Sequence, residues 1–131
     1  MTESVIIGFD FGEKRIGVAI GNTVTQEARA YRIIDSRTND ARWKGVGAVV
    51  KEWEPSAFVV GIPRHPDGAP HEMTARCERF ARQLEGRFHL PVYRVDERYS
   101  SAVVESDADF IGDEAACIIL QQYFEESKLN S

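Results

Sequence analysis

The stretch from Val5 to Gly21, Val-Ile-Ile-Gly-Phe-Asp-Phe-Gly-Glu-Lys-Arg-Ile-Gly-Val-Ala-Ile-Gly, decides how the rest of the chain is read. Val5, Ile6, Ile7 and Phe9 form an almost unbroken apolar run, which predicts a central strand covered on both faces. That run ends on an acid, Asp10. Phe11 and Gly12 follow, then the charged tip Glu13-Lys14-Arg15, and Ile16 to Ile20 returns as a second strand. An acid at the end of a buried strand either caps a turn or meets a ligand, because ligands of α/β sheets gather at strand ends. Gly8 and Gly12 leave room on either side of it for a sharp turn or a close ligand.

Around this hairpin the chain has 131 residues, 43% apolar and 28% charged, which predicts one soluble domain with a real core. Met1-Thr2-Glu3-Ser4 has neither a basic nor an apolar leader segment, and no apolar run reaches membrane-spanning length, so a cytoplasmic protein is expected. Cys77 and Cys117 lie on the apolar sides of predicted helices and read as buried, reduced thiols. No Cys/His cluster has zinc spacing. The net charge of -5 argues against coating nucleic acid by bulk charge. It leaves room for a nucleic-acid enzyme with a local basic face, where a bound cation offsets part of the carboxylate charge.

Further along, Glu27 to Asp35 alternates enough to predict a third strand, completing an antiparallel meander. Ser36 to Asp40 supplies loop and capping residues. Trp43, Val46, Val49, Val50 and Trp53 have helical spacing over Asp40 to Trp53, weakened by Gly45 and Gly47 and ended by Pro55. Ala57 to Ile62 is a buried strand. A loop from Arg64 to Pro70 leads to a helix over about His71 to Gly86, with Met73, Cys77, Phe80 and Leu84 on one face and Gly86 as its stop. Pro91 to Asp96 is a fifth strand that again ends on acids, Asp96 and Glu97. Ser100 to Asp107 reads as a short helix. Gly112 to Glu126 is the last one, with Ala116, Ile119, Leu120 and Tyr123 inward, and the tail from Ser127 to Ser131 is expected to fray. The order β-β-β-α-β-α-β-α predicts an α/β sheet of mixed direction.

Two strands thus end on carboxylates. Were they parallel neighbours, their ends would sit about 5 Å apart, and two carboxylates so close need a cation or a proton between them. Oxygen donors alone favour Mg²⁺ or Mn²⁺, which suits phosphoryl transfer. The plainer alternative has Asp96 capping the next helix and Glu97 pairing with Arg98.

Ile-Gly-Phe-Asp10-Phe-Gly-Glu-Lys-Arg-Ile-Gly-Val-Ala resembles the opening motif of the YqgF/RuvX family. Val60-Gly61-Ile62-Pro63 with Asp67-Gly68, Thr74-Ala75-Arg76, Val95-Asp96-Glu97-Arg98-Tyr99-Ser100 and the segment from Ala115 to Phe124 resemble its later motifs, in the same order over nearly the whole chain. The resemblance implies a ribonuclease H-like fold: a mixed five-stranded sheet, three antiparallel strands then two parallel, flanked by helices, with the first and fourth strands adjacent. Members of the family are described as nucleases that trim the 5′ end of pre-16S ribosomal RNA, and earlier as Holliday junction resolvases. For this chain the resemblance implies a divalent-metal phosphodiesterase. Asp10 is the first metal ligand and the Asp96-Glu97 pair supplies the second, with Glu97 the firmer ligand and Asp96 a ligand or a supporting group.

The chain departs from the family pattern twice. The family's third acid falls on Gly112, and Asp113, one residue and about 100° further round a helix, is either its replacement or an N-cap. His65 stands where the family has Asn, and either contacts a phosphate or is an exposed loop residue. Lys14, Arg15, Arg64 and Arg98 each flank a strand end and are the expected backbone contacts. Arg76, Arg79 and Arg82, spaced by three on the second predicted helix, are either part of a polyanion face or an ordinary solvated one. Phosphate contacts would confer affinity without sequence preference. The expected partners are therefore structured RNA or branched DNA, with recognition by RNA shape or through the pre-ribosomal small-subunit particle, and the protein itself a monomer or homodimer. A third reading is a protein that binds such particles without cutting, its site weakened at Gly112. A fourth, nucleotide binding through Asp-Phe-Gly in the manner of actin-like ATPases, would need a second domain.

Overall fold

Each strand of the hairpin has apolar residues pointing both ways, so the fold must cover the sheet twice. The computed structural model describes residues 4–65, 67–96 and 112–129, with side chains over 114–127 of the last segment. Strands β1 (Val5–Asp10), β2 (Arg15–Asn22), β3 (Glu27–Asp35), β4 (Ala57–Ile62) and β5 (Val92–Asp96) form one sheet in the order β3-β2-β1-β4-β5. The first three are antiparallel, and β4 and β5 continue from β1 in parallel. This is the three-plus-two arrangement that the sequence predicts.

Side-chain alternation divides the core. Ile7 and Phe9 of β1, with Ile16, Val18, Phe58, Val60 and Ile62, pack beneath helices α1 (Asn39–Trp53) and α2 (Thr74–Phe88). Ile6, Ala19, Val59 and Val95 pack on the other face, beneath Ala116, Ile119, Leu120 and Phe124 of α3 (Gly112–Leu129). Strand β4 is buried at every position, as expected of a strand between two covered faces. Gly45 has a packing reason inside α1: a Cβ there would stand 2.4 Å from Ile34 Cγ2. Between Val18 and Ala19 the β2–β3 register slips, and Tyr31 is left as the extra residue of a bulge.

Several element ends differ from the sequence expectation, most of all in α2 and α3. Helix α2 begins at Thr74 rather than His71, because the backbone N–H of Met73 donates to His71 Nδ1 (3.1 Å) and that of His71 to Thr74 Oγ1 (2.8 Å), which holds a turn instead of a helix. It passes through Gly86 and stops at His89, whose left-handed backbone (φ 57°) closes the helix by donating to the Glu85 carbonyl. Met73 is therefore the N-cap rather than a face residue, though it still packs on the core. Helix α3 continues beyond Glu126 to Leu129, so Ser127 to Leu129, expected to fray, are helical. Inward on α3 Phe124 is buried, while Tyr123 is half-buried and stacks on Tyr93 of β5. The short helix expected over Ser100 to Asp107 lies outside the described residues.

Candidate active site

Asp10 ends β1 opposite Gly17 and shares the α3 face with Gly8, two residues earlier. At Gly8 the helix touches the sheet backbone: a Cβ would lie 2.9 Å from Leu120 Cβ and 3.3 Å from the Ala116 carbonyl. At Gly21, which pairs with Ile6, it would lie 2.8 Å from both Leu120 and Phe124. Contacts thus move from Ala116 to Phe124 as β1 is followed back toward its start. Helix α3 therefore runs opposite to β1, and its first turn, Gly112 and Asp113, comes to the level of Asp10. The side chain of Asp113 lies outside the described atoms.

Asp10 is only partly open to solvent, and burial raises its pKa from the ordinary 3.8 to about 6. Among the described residues no cation pairs with it. An unpaired, desolvated carboxylate at a parallel strand end suits a divalent ion, and oxygen donors suit Mg²⁺ or Mn²⁺. Among the described residues no group of three acidic, His or Cys side chains could hold an ion. The other candidate ligands, Glu97 and Asp113, fall on residues or side chains that are not described.

The structure does not bring Asp96 beside Asp10. The first and fourth strands are adjacent, as the resemblance implies, but Asp96 ends the fifth. With β4 between them the strand axes stand about 10 Å apart rather than 5. Phe9 pairs with Val60 and Val60 with Arg94, so the position on β5 level with Asp10 is Val95. Val95 is buried on the α3 face, and strand alternation turns Asp96 toward the opposite face. The Asp96 carbonyl accepts a hydrogen bond from Gln122 Nε2 (3.1 Å), which ties the end of β5 to α3.

Among the described residues, four of the expected phosphate contacts, Lys14, Arg15, Arg64 and His65, lie at the same end of the sheet. Lys14 and Arg15 line a cleft of about 440 Å³ with Ile33, Asp35 and Arg37. The sequence reading did not single out Arg37, and no local pattern marks it; it joins Lys14 and Arg15 because Arg15 pairs with Asp35 between β2 and β3, which carries the next residues to the same place. Arg64 and His65 follow β4. Arg64 bridges Pro70, His65 donates from its N–H to the Ala69 carbonyl (3.0 Å), and its exposed ring lies 5.2 Å from that of His71. Arg98 is outside the described residues. Of the helix α2 arginines, Arg76 and Arg79 both line a different cleft with Arg42, and there Arg76 forms an ion pair with Glu13.

In overall fold the chain resembles RuvC-like resolvases. It superimposes on T. thermophilus RuvC in complex with a Holliday junction substrate with a TM-score of 0.55 at 15% identity, covering 95% of this chain and 96% of that one. On the fowlpox virus Holliday junction resolvase the TM-score is 0.55 at 13% identity, covering 95% and 99%. These likenesses establish a ribonuclease H-like fold. The chain belongs to the RuvX family, whose profile, described as Holliday junction resolvase, matches residues 4–126. Relatives named "Putative pre-16S rRNA nuclease" include one from Paraburkholderia phytofirmans, 52% identical over 94% of this chain and 89% of its own length. Another, from Paraburkholderia xenovorans, is 50% identical over the same shares. No helix among the described residues is long and apolar enough to cross a membrane.

Proposed function

We propose that this protein is a divalent-metal-dependent nuclease that hydrolyses phosphodiester bonds at the Asp10 end of the sheet, acting in the 5′ trimming of pre-16S rRNA. The observation that carries the reading is Asp10 itself: a desolvated carboxylate without a cation among the described residues, at a parallel strand end and level with the start of α3. Asp10, Glu97 and Asp113 would hold the Mg²⁺ or Mn²⁺ ion, and Asp96, whose backbone carbonyl is tied to Gln122, would support Glu97 at the end of β5. When bound, the ion supplies an activated water and charge stabilisation for the leaving 3′ oxygen.

The protein's own groups do the rest. Asp10 would have to be ionised to hold the ion, because a proton on its carboxyl would compete for the same oxygens. Lys14, Arg15 and Arg37 hold backbone phosphates on the β2–β3 side, while Arg64 and His65 hold them beyond β4. Such contacts fix the strand without reading bases. The names of relatives favour pre-rRNA as substrate. The family description favours branched DNA as a second reading, with the ion and phosphate contacts unchanged.

The test is cleavage of a precursor rRNA fragment by the wild type and Asp10→Asn, each with Mg²⁺ or Mn²⁺ and in competition with a four-way DNA junction. Asp10→Asn is expected to lose cleavage by a hundredfold or more, on the order of a lost electrostatic catalytic group. A folded Asp10→Asn protein that cuts as fast as the wild type refutes the assignment, and preferential cutting of the junction selects the second reading. Calorimetric titration with Mn²⁺ separates both from a non-cutting binder: no heat at millimolar ion would favour the latter.

A further inference from the structure

Phe11 directly follows Asp10, and alternation sends its ring to the opposite face of the sheet, where it packs 4.8 Å from Phe80. There a second cleft of about 310 Å³ opens between α1 and α2, lined by Phe11, Glu13, Asn39, Arg42, Arg76, Arg79 and Gln83. Three guanidinium groups share it with one carboxylate, and that carboxylate, Glu13, is already paired with Arg76. Arg42 is held rigidly: its Nε donates to Ser36 Oγ (2.8 Å), one terminal nitrogen donates to the Ser36 carbonyl (3.1 Å) and the other to Asn39 Oδ1 (3.3 Å). Its guanidinium carbon lies 4.9 Å from the Phe11 ring centroid. Burial and the like charge of Arg79 both disfavour its protonated form. Among the described residues neither Arg42 nor Arg79 has a carboxylate partner. Two like charges held in one recess, one of them half-buried, lower their energy when an anion enters, and a phosphate accepts from guanidinium forks in two-pronged geometry.

We infer that the Arg42–Arg79 cleft is a second phosphate site for the nucleic-acid strand whose scissile bond lies at Asp10, the strand passing over the end of β1 from the α3 face to the α1–α2 face. The inference rests on the proposed nuclease reading and gives it a substrate path, because consecutive residues, Asp10 at the end of β1 and Phe11 just beyond it, stand at the two sites. Arg79, exposed and making no hydrogen bond among the described residues, can be changed without loss of packing. Arg82, exposed on the same helix but outside the cleft lining, serves as control.

The experiment measures fluorescence anisotropy of a labelled precursor rRNA fragment over a series of KCl concentrations, with Ca²⁺ in place of Mg²⁺. The proteins are the full-length wild type, Arg79→Ala, Arg79→Glu and Arg82→Ala. Arg79→Ala is expected to weaken binding about threefold to tenfold and to reduce the slope of log affinity against log salt by about one. Arg79→Glu is expected to weaken it further, while Arg82→Ala leaves the slope alone and melting temperatures and Mn²⁺ affinity are the same in all four. Equal losses at Arg79 and Arg82 would mean diffuse charge rather than a site, and an unchanged slope at Arg79 would overturn the inference outright. A parallel arm follows thermal stabilisation by inorganic phosphate and by ATP. Stabilisation lost in Arg79→Ala while RNA affinity is unchanged would assign the cleft to a free phosphate compound and overturn the strand path. Failure of the nuclease reading is a separate result, namely a wild type that neither binds Mn²⁺ nor cuts.

Discussion

At the scale of single residues Asp10 dominates, and its burial has a measurable sign. Its pKa in the folded protein, about 6, exceeds the ordinary 3.8. The folded state therefore binds the proton more tightly than the unfolded state, so the resulting stabilisation is complete below about 3.8 and is lost as pH rises through 6. Metal-free Asp10→Asn should accordingly be more stable than the wild type at pH 7.5, by up to about 3 kcal/mol from the size of the shift. Near pH 4 the gap should close, and Mn²⁺ should restore the advantage of the wild type at neutral pH; chemical denaturation with and without EDTA measures all three. The same proton competes with the ion, so Mn²⁺ affinity should fall as pH drops below 6, which calorimetry across that range tests. The position of Asp10 at a strand end is legible in the sequence, because an apolar run stops on it. Its distance from Asp96 is not, since strand order in a sheet depends on which loops cross over and leaves no mark in local pattern.

At the scale of elements, α3 brings its first turn level with Asp10 by lying directly on backbone. Gly8→Ala would put a methyl group 2.9 Å from Leu120 Cβ and 3.3 Å from the Ala116 carbonyl, forcing the helix away from β1. Overpacking of this kind costs about 1–3 kcal/mol. The expected outcome is a lower melting temperature together with weaker Mn²⁺ binding, because the first turn of α3 moves with the rest. Gly45→Ala should cost a similar amount through Ile34 Cγ2, 2.4 Å from the added carbon, but leave Mn²⁺ binding intact, since α1 lies on the other face. Periodicity found every described helix and strand here, and β3 and β4 to the residue. It misplaced the ends of α2 because they depend on a histidine turn at one end and a left-handed histidine at the other, neither carrying the usual signal of Asp, Ser or Gly.

At the scale of the molecule, a net charge of -5 coexists with two clefts in which arginine and lysine outnumber acids. Affinity for RNA should then come from local phosphate contacts and fall steeply with salt. Arg37→Ala, on the β2–β3 cleft, should reduce the salt slope by about one, read by the same anisotropy series. The spacing of arginines along α2 marked a basic helix, but only folding shows that Arg76 is neutralised by Glu13 while Arg79 meets Arg42 from another helix.

The slip between Val18 and Ala19 also bears on how copies of the chain meet. Strand β3 is an outer strand of the sheet and would present unsatisfied backbone groups to any neighbour. The irregularity at Tyr31 interrupts that row, and Glu27, Arg29, Arg32 and Asp35 set charge along it, so a second molecule cannot simply lengthen the sheet there. Self-association through that border is disfavoured, and the protein should stay dispersed at concentrations where an unguarded β-edge would nucleate fibres.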